Sequence, residues 1–231
     1  MDTLQQRMQK IEEEIQAACD RSGRKRQDVT IVAVTKQVSA DRAREVMELG
    51  ITDLGENRPE GLLAKQESIE SENLSWHFIG NVQSRKVKDI INQVDFLHSL
   101  DRLSIAKEIQ KRATVPVDCF VQVNVSGEES KSGIEPTNLE EFIIQLAEYD
   151  KIRVAGLMTM APYTENEEWI RTIFRSLRSL RDQIAAKNLD HAPCALLSMG
   201  MSNDYTIAIE EGATHVRIGT ALVGTESEGD E

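Results

Sequence analysis

The chain reads as an α/β protein, a single (β/α)₈ TIM barrel carrying an additional N-terminal helix, on two observations. Eight short β-rich runs alternate with helical patterns between residues 30 and 220, and no linker rich in proline, glycine or serine divides them. Such alternation builds right-handed βαβ units on a parallel sheet, and eight strands are the number that closes the sheet into a barrel. An open doubly wound sheet would give nearly the same string, so periodicity alone leaves that alternative standing.

At the N-terminus, Leu4, Met8, Ile11, Ile15 and Ala18 recur at three- and four-residue intervals, which predicts one apolar stripe on a helix within residues 1–22, ending near Gly23. The first strand is read at "TIVAVTK" (30–36), with Lys36 as its last residue, and a helix follows at 40–49 with Asp41 near its start and Gly50 past its end. Further strands are read at 52–56, 75–80, 94–99, 117–126, 152–160, 195–200 and 214–220. Helical patterns at 139–149, 166–187 and 202–212 lie between the later ones, the last with Ser202 near its cap and Gly212 closing it. The expected domain is residues 1–224, and "TESEGDE" (225–231) is an acidic tail expected to be disordered.

Composition removes several classes of function. A net charge of −12 argues against nucleic-acid binding and against residence on an anionic membrane, since both need a basic face. Cys19, Cys119 and Cys194 are odd in number and widely spaced, and His77, His98, His191 and His215 lack metal-ligand spacing. These patterns predict no disulfide framework and no metal. The N-terminus is charged from the start and nothing later approaches a membrane span, so a cytoplasmic protein is expected.

Ligands of parallel α/β folds bind where strands hand over to the following loops, so polar residues at those ends are the candidates. A lysine ending a strand commonly just leaves the core for water. Lys36, however, follows an apolar strand at the mouth of a barrel, where desolvation would lower the amine's pKa and suit it to capture an aldehyde or ketone. Two glycine-containing turns, "SMGMSND" (198–204) and "VRIGT" (216–220), close strands seven and eight, where barrels recurrently hold phosphate. Each is weak alone; opposite a lysine they suggest a phosphorylated carbonyl compound. Other motifs carry less. "GEESKS" (127–132) lacks P-loop spacing, "QSRKVKD" (83–89) fits a solvated face, and the serines lack a nucleophile-elbow context. His77 on an apolar strand fits a packed, hydrogen-bonded residue.

Seven segments, "VAVTK", "GENRPEG", "WHFIGNVQSRK", "VNVSGEESKSGI", "GLMTMAP", "LSMGMSND" and "ATHVRIGTALVG", resemble in order and spacing the pyridoxal-phosphate homeostasis protein family, from about Val29 to Gly224. The resemblance implies a barrel like the N-terminal domain of alanine racemase, with pyridoxal 5'-phosphate joined to Lys36 as a Schiff base. It also implies that the Met201 amide, Ser202, Gly219 and Thr220 hold the phosphate and that Arg217 faces the pyridine nitrogen. Asn57 would lie close to the cofactor, and His77 would contact the ring from strand three. The racemases carry a second domain that supplies one catalytic base, whereas this chain ends soon after the eighth strand. A cofactor-binding homeostasis protein without turnover is therefore the first expectation, a slow racemase or transaminase of fold type III the second, and an aldolase-like barrel without cofactor the third. A monomer is expected, with transient apoenzyme partners.

Overall fold

The computed structural model describes residues 2–69, 71, 73–128 and 132–225. Eight strands, β1 (Thr30–Val34), β2 (Asp53–Glu56), β3 (Ser75–Phe78), β4 (Phe96–Leu100), β5 (Val117–Gln122), β6 (Ile152–Met158), β7 (Leu196–Met201) and β8 (His215–Ile218), form one parallel sheet in chain order. Pairing of Thr30 with His215 and Val32 with Arg217 joins β8 back to β1, so the sheet closes into a barrel and the open alternative falls away. The strands are short, and their buried β-branched and aromatic residues suit a wall covered on both faces.

Around the barrel lie α1 (Leu4–Ser22), α2 (Ala40–Glu48), α3 (Pro59–Ser68), α4 (Val87–Ile90), α5 (Leu103–Arg112), α6 (Leu139–Gln145), α7 (Glu167–Ala185), α8 (Tyr205–Glu210) and α9 (Thr220–Val223). The N-terminal helix starts where Thr3 and Gln6 form a reciprocal capping box and stops at Gly23, whose φ of 69° lies in the left-handed region. It buries Ile11, Ile15 and Ala18 against α8 and α9, the helices that follow the last two strands. In α7, Asn166 caps the start, and Ile170, Ile173, Phe174, Leu177 and Ile184 form the buried stripe. These side chains and the outward faces of the strands form one continuous core.

Most strands and helices end a few residues from where the pattern placed them, and two of these differences bear on the site. The first strand ends at Val34 and not at Lys36: the Thr35 amide still donates to Gly55 O, but Val38 N then donates back to Thr35 O and closes a turn over residues 36–37. Helix α8 begins at Tyr205, so Ser202 lies outside it and Asp204 stands at the cap position. In contrast, Gly50 and Gly212 fall past helix ends with φ of 91° and 105°, as capping preferences require. Residue 1 and residues 226–231, most of the acidic tail, lie outside the described residues.

Candidate functional site

A cleft of about 360 Å³ opens at the carboxyl ends of the strands. Lys36 reaches it from the loop after β1, Asn57 from the loop after β2, Met201 and Ser202 from the end of β7, and Arg217, Gly219 and Thr220 from the end of β8. Sequence positions 36 and 220 thus meet because the barrel closes. Ile79, Gly80 and Met160, among the residues at the ends of strands three and six, also line the wall. Gly80 is required there: a Cβ on it would stand 2.4 Å from the Asn57 carbonyl oxygen, so only glycine lets the loops after β2 and β3 touch.

The turn bearing Lys36 is anchored from behind. Thr35 Oγ1 donates to Glu56 Oε1 at 2.6 Å, and Lys65 Nζ of α3 lies 3.0 Å from the same oxygen. Glu56 is 1% exposed, so this carboxylate is a buried clamp joining β1, β2 and α3 directly beneath Lys36 and Asn57. Lys36 itself is exposed, and the expectation of a desolvated amine is not met. The physical reason is the early end of β1: two residues past the last pairing, the side chain is already in the open part of the cleft.

Beside β1, to which β8 is paired, the turns after β7 and β8 are tied together by Gly219 N–H, which donates to Ser202 Oγ at 3.3 Å. Helix α9 begins at Thr220; the amides of Leu222 and Val223 donate to the Gly219 carbonyl, so it is the amides of Thr220 and Ala221 that head the helix. The Met201 amide, expected to hold a phosphate, instead donates to Asp204 Oδ1 at 2.6 Å. Burial raises the pKa of Asp204, while that bond and nearby Arg217 oppose the rise. Gly200, with φ of 93°, makes the tight approach of α8 possible, since a Cβ there would lie 2.6 Å from that of Ala208.

Arg217 forms the floor. It is 4% exposed, and its guanidinium donates through Nη1 to Ser198 Oγ at 2.5 Å and through Nη2 to the Thr159 carbonyl at 3.1 Å. Burial pushes its pKa down to about 10, with Asp204 opposing, so it stays a cation at neutral pH. His77 is the one predicted residue that does not line the cleft. It is buried inside the barrel with Nδ1 on His98 Nε2 at 2.8 Å and Nε2 on Asp53 Oδ1 at 2.9 Å, and its ring stacks on Phe96. Both ring nitrogens are engaged below the floor, as the packed-residue reading anticipated.

Chemically, the cleft offers an accessible primary amine after β1, hydroxyls and helix-start amides in the turns after β7 and β8, and a fixed cation beneath. Such a set suits an anionic carbonyl compound. The alanine racemase N-terminal domain family matches residues 7–227 of this chain. The pyridoxal phosphate homeostasis protein of Aquifex aeolicus is 45% identical over 222 residues, covering 95% of this chain and 96% of that protein.

The chain belongs to the pyridoxal phosphate homeostasis protein family.

Among solved structures, a family member from Synechococcus elongatus, PipY with PLP bound, superposes with a TM-score of 0.79 at 27% identity, covering 91% of this chain and 100% of that one. An alanine racemase of Clostridium difficile superposes with a TM-score of 0.77 at 16% identity, covering all of this chain and 58% of that one. At that identity the likeness concerns the barrel alone. No helix among the described residues is long and apolar enough to cross a membrane.

Proposed function

We propose that this chain binds pyridoxal 5'-phosphate in the cleft, covalently through Lys36, and serves the cell's homeostasis of that cofactor. The observation that carries the reading is the convergence of four strand ends on one cleft whose donor set matches the cofactor's three recognisable parts: aldehyde, ring nitrogen and phosphate. When bound, the cofactor supplies an aldehyde that condenses with a primary amine and a ring that draws electrons.

Lys36 would present that amine, and its exposure gives the incoming aldehyde free access. Ser202 and Thr220, with the amides that start α9, would hold the phosphate, while the Met201 amide stays on Asp204. Arg217 would face the ring nitrogen with a permanent cation and disfavour its protonation, which leaves the ring a weaker electron sink than a carboxylate partner would. Asn57, pinned against Gly80, would flank the ring. His77, bonded to His98 and Asp53 beneath the cleft, would support the floor rather than line it. A relative whose printed title includes bound PLP and relatives named for its homeostasis support the assignment. The same reading takes the protein as a cytoplasmic monomer that yields cofactor to apoenzymes. Three buried free thiols and a sheet that closes without a partner strand support it.

The test is an absorbance spectrum of the protein incubated with pyridoxal 5'-phosphate, before and after borohydride, followed by peptide mapping. A pyridoxyl-phosphate adduct on Lys36 is expected. An adduct that persists in Lys36→Ala, or no adduct at all, would sink the assignment.

A further inference from the structure

A buried polar series leads from the cleft floor down the inside of the barrel. Arg217 Nη1 meets Ser198 Oγ at 2.5 Å, Ser198 Oγ meets His98 Nδ1 at 2.8 Å, His98 Nε2 meets His77 Nδ1 at 2.8 Å, and His77 Nε2 meets Asp53 Oδ1 at 2.9 Å. His77, His98 and Ser198 are fully buried, and of the five groups Arg217 alone lines the cleft.

The two ends dictate the protons between them. A guanidinium can only donate and an ionised carboxylate can only accept. Burial alone would raise the Asp53 pKa, but hydrogen bonds from His77 and Thr52 outweigh it and leave it lowered, so this end is an anion. Working back from Asp53, His77 carries its hydrogen on Nε2, and its Nδ1 accepts from the Nε2–H of His98. The Nδ1 of His98 then accepts from the Ser198 hydroxyl, whose oxygen accepts from Arg217. Burial drives the His98 pKa well below the usual histidine value, with His77, Arg217 and His215 adding to the fall. A protonated His77 would reverse His98 and set a second cation on the same buried line as Arg217. Each inner group therefore donates once and accepts once, and every bond points from the cleft toward Asp53, the arrangement in which hydrogen bonds polarise one another.

We propose that Ser198, His98, His77 and Asp53 are positioning residues, a one-way hydrogen-bonded chain that holds the Arg217 cation against the cleft floor and sets the electron demand it places on a pyridine ring above it. The second half of this statement rests on the function proposed above; the proton order does not.

Two measurements test it. In the cofactor-free protein at pH 7, the nitrogen-15 signals of the His77 and His98 rings are expected to show Nε2–H and a bare Nδ1 in both. An Nδ1–H tautomer or an imidazolium at either ring overturns the chain. In protein loaded with pyridoxal 5'-phosphate, His98→Leu, which removes both hydrogen bonds to Ser198 and His77, is expected to weaken cofactor binding about tenfold and to shift the absorbance maximum. His98→Gln, whose amide can both donate and accept, is expected to restore part of each, and Asp53→Asn to shift the band less. If the loaded His98→Leu and Asp53→Asn proteins bind and absorb as the parent does, the positioning role is wrong, and the conservative Asp53 variant gives that answer even where His98→Leu fails to fold. If the parent takes up no cofactor, the proposed function is overturned, while the ring-nitrogen spectrum still decides the proton order.

Discussion

Lys36 shows how little a functional side chain need contribute to stability. It is exposed, its turn is held by Thr35 and Glu56 rather than by its own amine, and Lys36→Ala is expected to change stability by no more than about 0.5 kcal/mol while abolishing the borohydride-trapped adduct. Thermal unfolding beside the labelling experiment checks both halves. Glu56 is the reverse case. Glu56→Ala leaves Lys65 buried without its partner and is expected to cost about 3–5 kcal/mol, whereas the double change with Lys65→Met should recover most of it. Denaturant titrations of the two variants decide this, and a double variant no better than the single one would contradict the clamp. Sequence exposed Lys36 at once, because a charge after a β-branched run is conspicuous. The Thr35–Glu56–Lys65 clamp stayed hidden, because its members come from three elements and nothing local to any of them announces the pairing.

At the scale of elements, the ends of β7 and β8 act as one unit, tied by Gly219 to Ser202 and backed by α1 through α8 and α9. If this unit holds a phosphate, Ser202→Ala combined with Thr220→Val should weaken binding of pyridoxal 5'-phosphate at least about tenfold but leave binding of pyridoxal, which lacks the phosphate, nearly unchanged. Equal losses for both ligands would place the phosphate elsewhere. Both turns were recognisable from their glycines and hydroxyls. Their division of labour was not: Asp204 captures the Met201 amide only because α8 starts three residues later than the apolar pattern suggests. The pattern placed the element but not its cap, since several nearby polar side chains could have capped it equally well.

For the molecule as a whole, the polar barrel interior makes stability depend on pH. Burial lowers the His215 pKa to about 4 and lowers that of His98 as well, so the unfolded chain takes up protons first as pH falls. Stability from these groups is complete above pH 6.5; for His215 it is lost between 6.5 and about 4, by about 2 kcal/mol at pH 5, and for His98 the loss begins at the same pH and continues further into acid. Asp53 and Glu210, with lowered pKa values, add losses further into acid, whereas Asp101 and Asp204, raised by burial, are stabilised by protonation there. Calorimetry at pH 7 and pH 5 should therefore show a smaller drop for His215→Asn than for the parent, and equal drops would refute the assignment. The sequence by itself determined the alternation of strands and helices, the helix stops at glycines, and most of the residues around the cleft, because each depends on local periodicity, turn chemistry or position at a strand end. Only the tertiary structure decided that the sheet closes, that His77 lies below the cleft and not within it, and that Asp53, His77, His98, Ser198 and Arg217 form one series. Those outcomes depend on register between strands far apart in the chain, and a one-residue slip in any strand would send its polar groups to the other face.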